Sequence, residues 1–163
     1  ADENRTPIVI IGDGTYMMAN SEMATAAMMG VSFTVIVTDN RGFGCINRLQ
    51  MGTGGAEFNN LLKDAVQETP SAIDFAAHAA SMGATSVKVS SISELEEALA
   101  KRGDIAGPYV IVIDTDPYPS TPHGGSWWEV GVPEVSLRSQ VNDAWENYRQ
   151  GKATQKTVCG SIN

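Results

Sequence analysis

Pro7-Ile8-Val9-Ile10-Ile11-Gly12-Asp13-Gly14 carries a short β-branched run into an aspartate flanked by glycines. Phe33-Thr34-Val35-Ile36-Val37-Thr38-Asp39-Asn40 repeats the design, an apolar run that closes on polar residues. Continuous β-branched runs bounded by turn residues read as strands buried on both faces, as in a parallel sheet. Between the two runs, Asn20-Ser21 offers an N-cap, Glu22 stands in the first turn, and Met23, Ala24, Ala27 and Met28 recur at helical spacing before Gly30. Strand, helix, strand is one parallel crossover unit, and it decides the fold class.

The pattern continues outward. Thr85 to Val89 and Tyr109 to Ile113 are two further strands, the second closing on Asp114-Thr115-Asp116. Ser71 is expected to cap a helix running to Met82, with Gly83 as its stop. Ser93 is expected to cap Glu94 to Lys101, and a last helix is expected over Val135 to Tyr148. Phe43 to Thr69 is irregular and holds Met51-Gly52-Thr53-Gly54-Gly55 and Asn59-Asn60; it reads as a long excursion with one helix near Phe58 to Ala65. Such excursions are often functional. Pro117 to Pro133 is rich in Pro and Gly. The whole is an α/β chain, a doubly wound parallel sheet with helices on both faces. Residues 1–150 form the domain and 151–163 a polar tail.

The 163 residues suffice for one domain or for a piece of a larger one. The start is not Met and a strand follows almost at once, which suggests a partial chain. The net charge of −8 and the lack of a Lys/Arg run point away from nucleic acid and anionic lipid. No segment is long enough to span a membrane and no secretory signal is visible. Cys45 and Cys159 match no metal spacing and read as reduced thiols of a cytoplasmic protein. An anionic ligand would therefore be held by a metal ion and backbone amides rather than by a basic patch.

In doubly wound sheets, ligands sit beyond the carboxyl ends of the strands. Asp13, Asp39, Asn40 and Asp114 all fall at that edge, and Asn40 follows Asp13 by 27 positions, one crossover unit. A carboxylate, an amide oxygen and a nearby carbonyl are hard ligands suited to Mg²⁺ or Ca²⁺, and Mg²⁺ commonly takes phosphate oxygens as well. Gly12 and Gly14 permit a tight turn and close approach of backbone to phosphate, and the amides around Gly14 and Thr15, ahead of a helix, suit an anion. The spacing predicts a metal-bridged diphosphate site. The plainer reading makes Asp13 and Asn40 ordinary turn residues.

Gly12-Asp13-Gly14, a spacer, then Asp39-Asn40 resembles the cofactor motif of the thiamine-diphosphate (ThDP) enzymes, which is Gly-Asp-Gly, some two dozen residues, then Asn-Asn. Asp39 stands where the motif has its first Asn. The resemblance implies Asp13 and Asn40 as side-chain ligands of Mg²⁺, the carbonyl of Gly42 as a backbone ligand, and Gly14 and Thr15 as diphosphate contacts. Asp74 to Ala84 looks like a helix signature of the same domain. Within the superfamily, the run Asp39 to Gln50, Gly54-Gly55-Ala56 with Phe58-Asn59-Asn60, and Trp127-Trp128-Glu129-Val130 resemble the trihydroxycyclohexane-1,2-dione hydrolases of myo-inositol catabolism.

That resemblance implies a hydrolase that cleaves the C–C bond of a cyclic 1,2-dione to give 5-deoxyglucuronate, with the cofactor's ylide as nucleophile and the metal as a tether for diphosphate. It also implies a pyrimidine-binding domain, in the same or a neighbouring subunit of a homo-oligomer, which supplies the activating glutamate. Neither Glu22 nor Glu57 is assigned that role, the first part of this domain is expected before Ala1, and the chain alone is expected to be inactive. Other ThDP branches (acetolactate synthase or 2-oxo acid decarboxylase), a non-catalytic ThDP-fold subunit and a metal-binding signalling domain are the rival readings. Asn47, Arg48 and Gln50 are candidates for substrate or closing-loop contacts, against plain surface polarity. Cys45 reads as a structural thiol and His78 as packed or exposed. His123 is a weaker active-site candidate, and Trp127-Trp128 reads as an anchor or subunit contact. The methionines at 17, 18, 23, 28 and 29 read as core or interface filler.

Overall fold

A computed structural model describes residues 5–69, 71–119 and 130–155. His123, Trp127, Trp128 and Cys159 lie outside the described residues. The chain divides into two compact units, residues 1–44 with 59–117 and residues 45–58 with 118–163.

The first unit contains four parallel strands, β1 (Ile8–Gly12), β2 (Phe33–Asp39), β3 (Thr85–Val89) and β4 (Pro108–Asp114), in the order β1-β2-β4-β3. Helices α1 (Asp13–Met18) and α2 (Glu22–Met29) join β1 to β2. Helix α4 (Phe75–Ser81) precedes β3, and α5 (Ile92–Ala100) joins β3 to β4. Chain progress across the sheet runs one way as far as β3 and then steps back to β4. Right-handed crossovers place the forward connections on one face and the returning one on the other. The core follows that division. Tyr16, Met23, Val35, Val37, Phe75, Ala79, Val110 and Val112 pack on one face. Val89, Ala98, Tyr109 and Ile111 pack on the other, with Leu95 and Leu99 of α5. Successive residues of β4 thus alternate between the two cores, as pleating requires.

Strands β2 and β4 are buried along most of their length. β1 is not: Ile8, Val9 and Ile10 are 56, 42 and 67% exposed. Where both-face burial was expected, β1 stands in this chain at the edge of the sheet and, among the described residues, pairs with β2.

The helix boundaries show where local signals were misread. Ser21 is already helical and makes no side-chain cap; the N–H groups of Met23 and Ala24 bond the carbonyls of Asn20 and Ser21. Gly30, at φ 65°, ends α2 in the left-handed conformation as expected. Asp74, not Ser71, caps α4, accepting the Ala77 N–H at 2.9 Å. Ser91, not Ser93, caps α5 by accepting the Glu94 N–H at 3.2 Å, and the Glu94 carboxylate reaches back to the Ser90 N–H at 2.7 Å. This reciprocal arrangement is a variant of the capping box. The expected helix near Phe58 to Ala65 is only a 3-10 turn, Leu62–Asp64. A regular helix, α3 (Gly44–Gly52), stands earlier in the excursion.

In the second unit, α6 (Ser139–Thr154) begins later than Val135 and runs past Gly151, into the stretch read as a tail. The glycine-rich turn after α3 packs against its start. The Arg138 Nε donates to the Gly54 carbonyl at 2.7 Å, and a side chain at Gly54 would collide with the Gln140 backbone. Close packing therefore accounts for this glycine. No helix among the described residues is long and apolar enough to cross a membrane.

Candidate functional site

Parallel register brings the two strand ends together. Gly12 pairs with Thr38, and the Thr38 hydroxyl donates to the Ile11 carbonyl at 3.1 Å. Asp39 pairs with Asp114 across β2 and β4, and the Thr115 N–H donates to the Asp39 carbonyl at 2.8 Å. Asp13 opens α1 directly after β1 and is 4% exposed. A buried carboxylate needs donors, and Asp13 obtains them from the turn after β2: the Asn40 N–H reaches its Oδ1 at 3.3 Å and the Gly42 N–H its Oδ2 at 2.8 Å.

Steric constraint shapes that turn. Arg41 is at φ 63° and Gly42 at φ 147°. A Cβ on Gly42 would lie 2.5 Å from the Asn60 carbonyl oxygen and 2.9 Å from Leu61 Cα, so position 42 admits no side chain. The segment that crowds it also holds it, since the Phe43 N–H donates to the Asn60 carbonyl at 2.7 Å and the Leu62 N–H to the Arg41 carbonyl at 2.9 Å.

The Asn40 side chain completes the group. Its inward amide atom lies 3.3 Å from Asp13 Oδ1 and 2.9 Å from the Gly42 carbonyl oxygen. With nitrogen inward, the amide donates to both acceptors. With oxygen inward, a carboxylate, an amide and a carbonyl oxygen converge. In six-coordinate Mg²⁺ with bonds of about 2.0–2.1 Å, neighbouring oxygens lie roughly 2.9 Å apart. The 2.9 Å pair matches that edge and the 3.3 Å pair is wider, so with its oxygen inward the group is compatible with a hard cation. Among the described residues, no group of three or more His, Cys, Asp and Glu side chains could hold a metal ion. The mixed oxygen set fits Mg²⁺ rather than a softer metal.

Gly14 and Thr15 occupy the first turn of α1, and Thr15 is exposed. A Cβ on Gly14 would lie 2.6 Å from Phe43 Cε1, whereas one on Gly12 would meet nothing within 4 Å. The ring of Phe43 thus gives Gly14 a steric role within the chain itself. Asp13, Gly14, Asp39, Arg41, Phe43 and Phe75 help to line an adjoining cavity of about 180 Å³.

Two features of the site went unread in the sequence. Asp39 is buried, and its neighbours form a charged ladder across the strand ends. Arg41 Nη1 lies 3.2 Å from Asp39 Oδ2, Arg41 Nη2 lies 3.6 Å from Asp114 Oδ1, and Lys88 Nζ lies 3.0 Å from the same Asp114 oxygen. Burial pushes the Asp39 carboxyl above its ordinary range; the Arg41 N–H and guanidinium oppose this, and the negative charges of Asp13 and Asp114 add to it. Although Nη1 is at ion-pair distance, Asp39 Oδ2 has no aligned hydrogen-bond donor. The second feature is the buried Tyr16, whose hydroxyl meets His78 Nδ1 at 3.1 Å and whose ring packs edge-on against Phe75. Burial raises the Tyr16 pKa. His78 therefore braces α1 from α4. Helical position and alternating charge at strand ends were the signals available for these contacts.

Other candidates are placed differently. Asn47 is fully buried and donates to Glu57 Oε1 at 2.8 Å within the second unit. It ties α3 to the segment beyond the glycine-rich turn from a position that neither solvent nor a ligand reaches in this structure. Gln50 is half-buried, and its amide donates to the Ala56 carbonyl; Arg48 is also half-buried. Cys45 is an exposed free thiol. Of the methionines, Met23 is in the core, while Met17, Met18, Met28 and Met29 are exposed.

Residues 1–113 match the family model described as the C-terminal TPP-binding domain of thiamine pyrophosphate enzymes, and the chain belongs to this family. It is also similar to proteins named 3D-(3,5/4)-trihydroxycyclohexane-1,2-dione hydrolase, at 38% identity over 157 residues to those of Bacillus cereus (strain AH820) and Bacillus anthracis (strain A0248). The match covers 90% of this chain but 24% of each relative, so the chain spans about a quarter of their length. The fold resembles the thiamine diphosphate-dependent 4-hydroxybenzoylformate decarboxylase of Rhodococcus jostii RHA1, with TM-score 0.61 and 20% identity over 71% of this chain and 20% of that one. It also resembles the benzoylformate decarboxylase of Polynucleobacter necessarius, with TM-score 0.62 and 21% identity over 72% of this chain and 21% of that one.

Proposed function

We propose that this chain is the Mg²⁺-diphosphate-binding part of a ThDP-dependent hydrolase that opens a trihydroxylated cyclic 1,2-dione to 5-deoxyglucuronate in myo-inositol breakdown. The observation that carries the site is the convergence of Asp13 Oδ1, the Asn40 amide and the Gly42 carbonyl at 2.9 and 3.3 Å. Their oxygens would hold Mg²⁺, and Gly14 and Thr15 would contact the diphosphate. The 38% identity to proteins bearing the hydrolase name favours the dione over other substrates of the family.

Bound ThDP supplies a carbon nucleophile for a carbonyl carbon. The residues here would hold its diphosphate end. Asp13 fixes the turn after β2 by accepting two N–H bonds, so that the Gly42 carbonyl and, with its oxygen turned inward, the Asn40 amide would face the same space. The metal they would hold would tether the diphosphate and would not act as electrophile at the dione. The pyrimidine end of the cofactor is left to a second domain, from the same subunit or its neighbour in a homo-oligomer. Accordingly the isolated chain binds ThDP poorly and turns nothing over. The exposed free thiol of Cys45 suits a cytoplasmic enzyme.

The test uses the full-length enzyme. Loss of the trihydroxycyclohexanedione is followed with and without added Mg²⁺ and ThDP, beside Asn40→Ala. Cofactor-dependent ring opening that the variant loses supports both chemistry and site. ThDP binding without ring opening keeps the family and discards the dione; turnover of a 2-oxo acid instead reassigns the substrate.

A further inference from the structure

The turn that presents Asn40 and Gly42 contains a non-glycine residue in the left-handed region, Arg41 at φ 63°. Such a conformation is costly for a residue with a Cβ and persists where its surroundings over-determine it. Here the surroundings are specific. The Arg41 N–H donates to Asp39 Oδ1 at 3.0 Å, and its guanidinium returns to Asp39 Oδ2 at 3.2 Å. One carboxylate thus holds the residue at its backbone and at its far end. The second arm of the guanidinium points to Asp114, the partner of Asp39 in the β2–β4 register. The carboxylate side chain of Asp39 is 1% exposed, whereas that of Arg41 is 43% exposed, so the anchor is buried and the strap lies over it.

We propose that Asp39 and Arg41 are a matched pair of positioning residues that aim the Asn40 amide oxygen and the Gly42 carbonyl at the cation. The chemistry separates the two roles of Asp39. An asparagine, which the family motif carries at this position, could still accept the Arg41 N–H through its amide oxygen. It could not offer a second anionic oxygen to the guanidinium. In this chain, replacing Asp39 alone leaves the cation of Arg41 without its buried counter-charge, and replacing Arg41 alone leaves a buried carboxylate without one. Removing both removes the conflict.

The inference rests on the metal reading proposed above, and the experiment separates the two. In the full-length enzyme, the Mg²⁺ concentration for half-maximal ThDP binding is measured by calorimetry for Asp39→Asn, Arg41→Gln, the double variant and Asn40→Ala, with melting of each cofactor-free protein as a check on folding. Each single change is expected to raise the Mg²⁺ requirement about tenfold, and the double variant to be no worse than the weaker-binding single, as coupled neighbours behave. Arg41→Gln, at a half-exposed side chain, carries the test should Asp39→Asn fail to fold. Losses that multiply in the double variant would overturn the pairing. So would wild-type Mg²⁺ dependence in both singles while Asn40→Ala has lost binding, which leaves the metal reading intact. Unchanged binding in Asn40→Ala would overturn the metal reading and this inference with it.

Discussion

Asp13 Oδ2 accepts the N–H of Gly42 at 2.8 Å, across 29 positions of sequence, and so ties the end of the first strand to the turn after the second. The same carboxylate takes the Asn40 N–H. Asp13→Asn leaves one acceptor oxygen for two donors in a site that is 4% exposed. Loss of a charge-assisted hydrogen bond should cost about 1.5–3 kcal/mol of stability, read by urea unfolding. Cofactor-dependent activity of the full-length enzyme should fall with it.

Two glycines of the site should respond differently to alanine. At Gly42 the new Cβ meets backbone at 2.5 Å, at φ 147°, so nothing nearby can yield cheaply. At Gly14 it meets the ring of Phe43, which is 48% exposed and can turn outward. Gly42→Ala should destabilise by more than about 2 kcal/mol and Gly14→Ala by about 1 kcal/mol. Truncating Phe43 to Leu should recover most of the latter. Thermal unfolding of Gly42→Ala, Gly14→Ala, Phe43→Leu and the Gly14→Ala/Phe43→Leu double change checks the order.

Tyr16→Phe removes a buried hydroxyl and leaves His78 Nδ1 without the partner it meets at 3.1 Å. A loss of about 1 kcal/mol is expected, with the Phe75 edge contact retained. Urea unfolding of this variant against His78→Ala and the double change should show less than additive losses.

Glu94 gives the pH dependence. Its carboxylate accepts the Ser90 N–H and hydroxyl, which hold its pKa below the ordinary 4.5. A depressed folded-state value means that its stabilising contribution is fully present above the unfolded pKa. The contribution is lost as pH falls through the folded one. Glu94→Gln should therefore flatten the acid limb of the stability curve below about pH 4.5, measured by melting temperature from pH 7 to pH 3.

Much of this was legible because local chemistry repeats at strand ends. The apolar runs located four strands, and Asp13 with Asn40 could be assigned to one sheet edge from their spacing alone. Helix α3 was missed because Gly44, Gly52 and a mixed composition obscure its period, and glycine is a poor helix former. Asn47 looked like a ligand-facing amide because a polar residue in an irregular stretch is usually exposed; its burial depends on Glu57, ten positions on. Ser71 and Ser93 were reasonable caps by residue type, but Asp74 and Ser91 lie where the backbone turns into the helix.

The sequence by itself determined the strand-and-helix alternation, the parallel class, and the carboxylate and amide that fall at one sheet edge, because period and turn chemistry are properties of neighbouring residues. Tertiary structure alone decided the order β1-β2-β4-β3 and the placement of Asn40 and Gly42 beside Asp13. That placement rests on Asp13 below the turn and on Asn60 and Leu61 crowding Gly42. These are contacts between segments far apart in the chain, and no local pattern encodes which of them will meet.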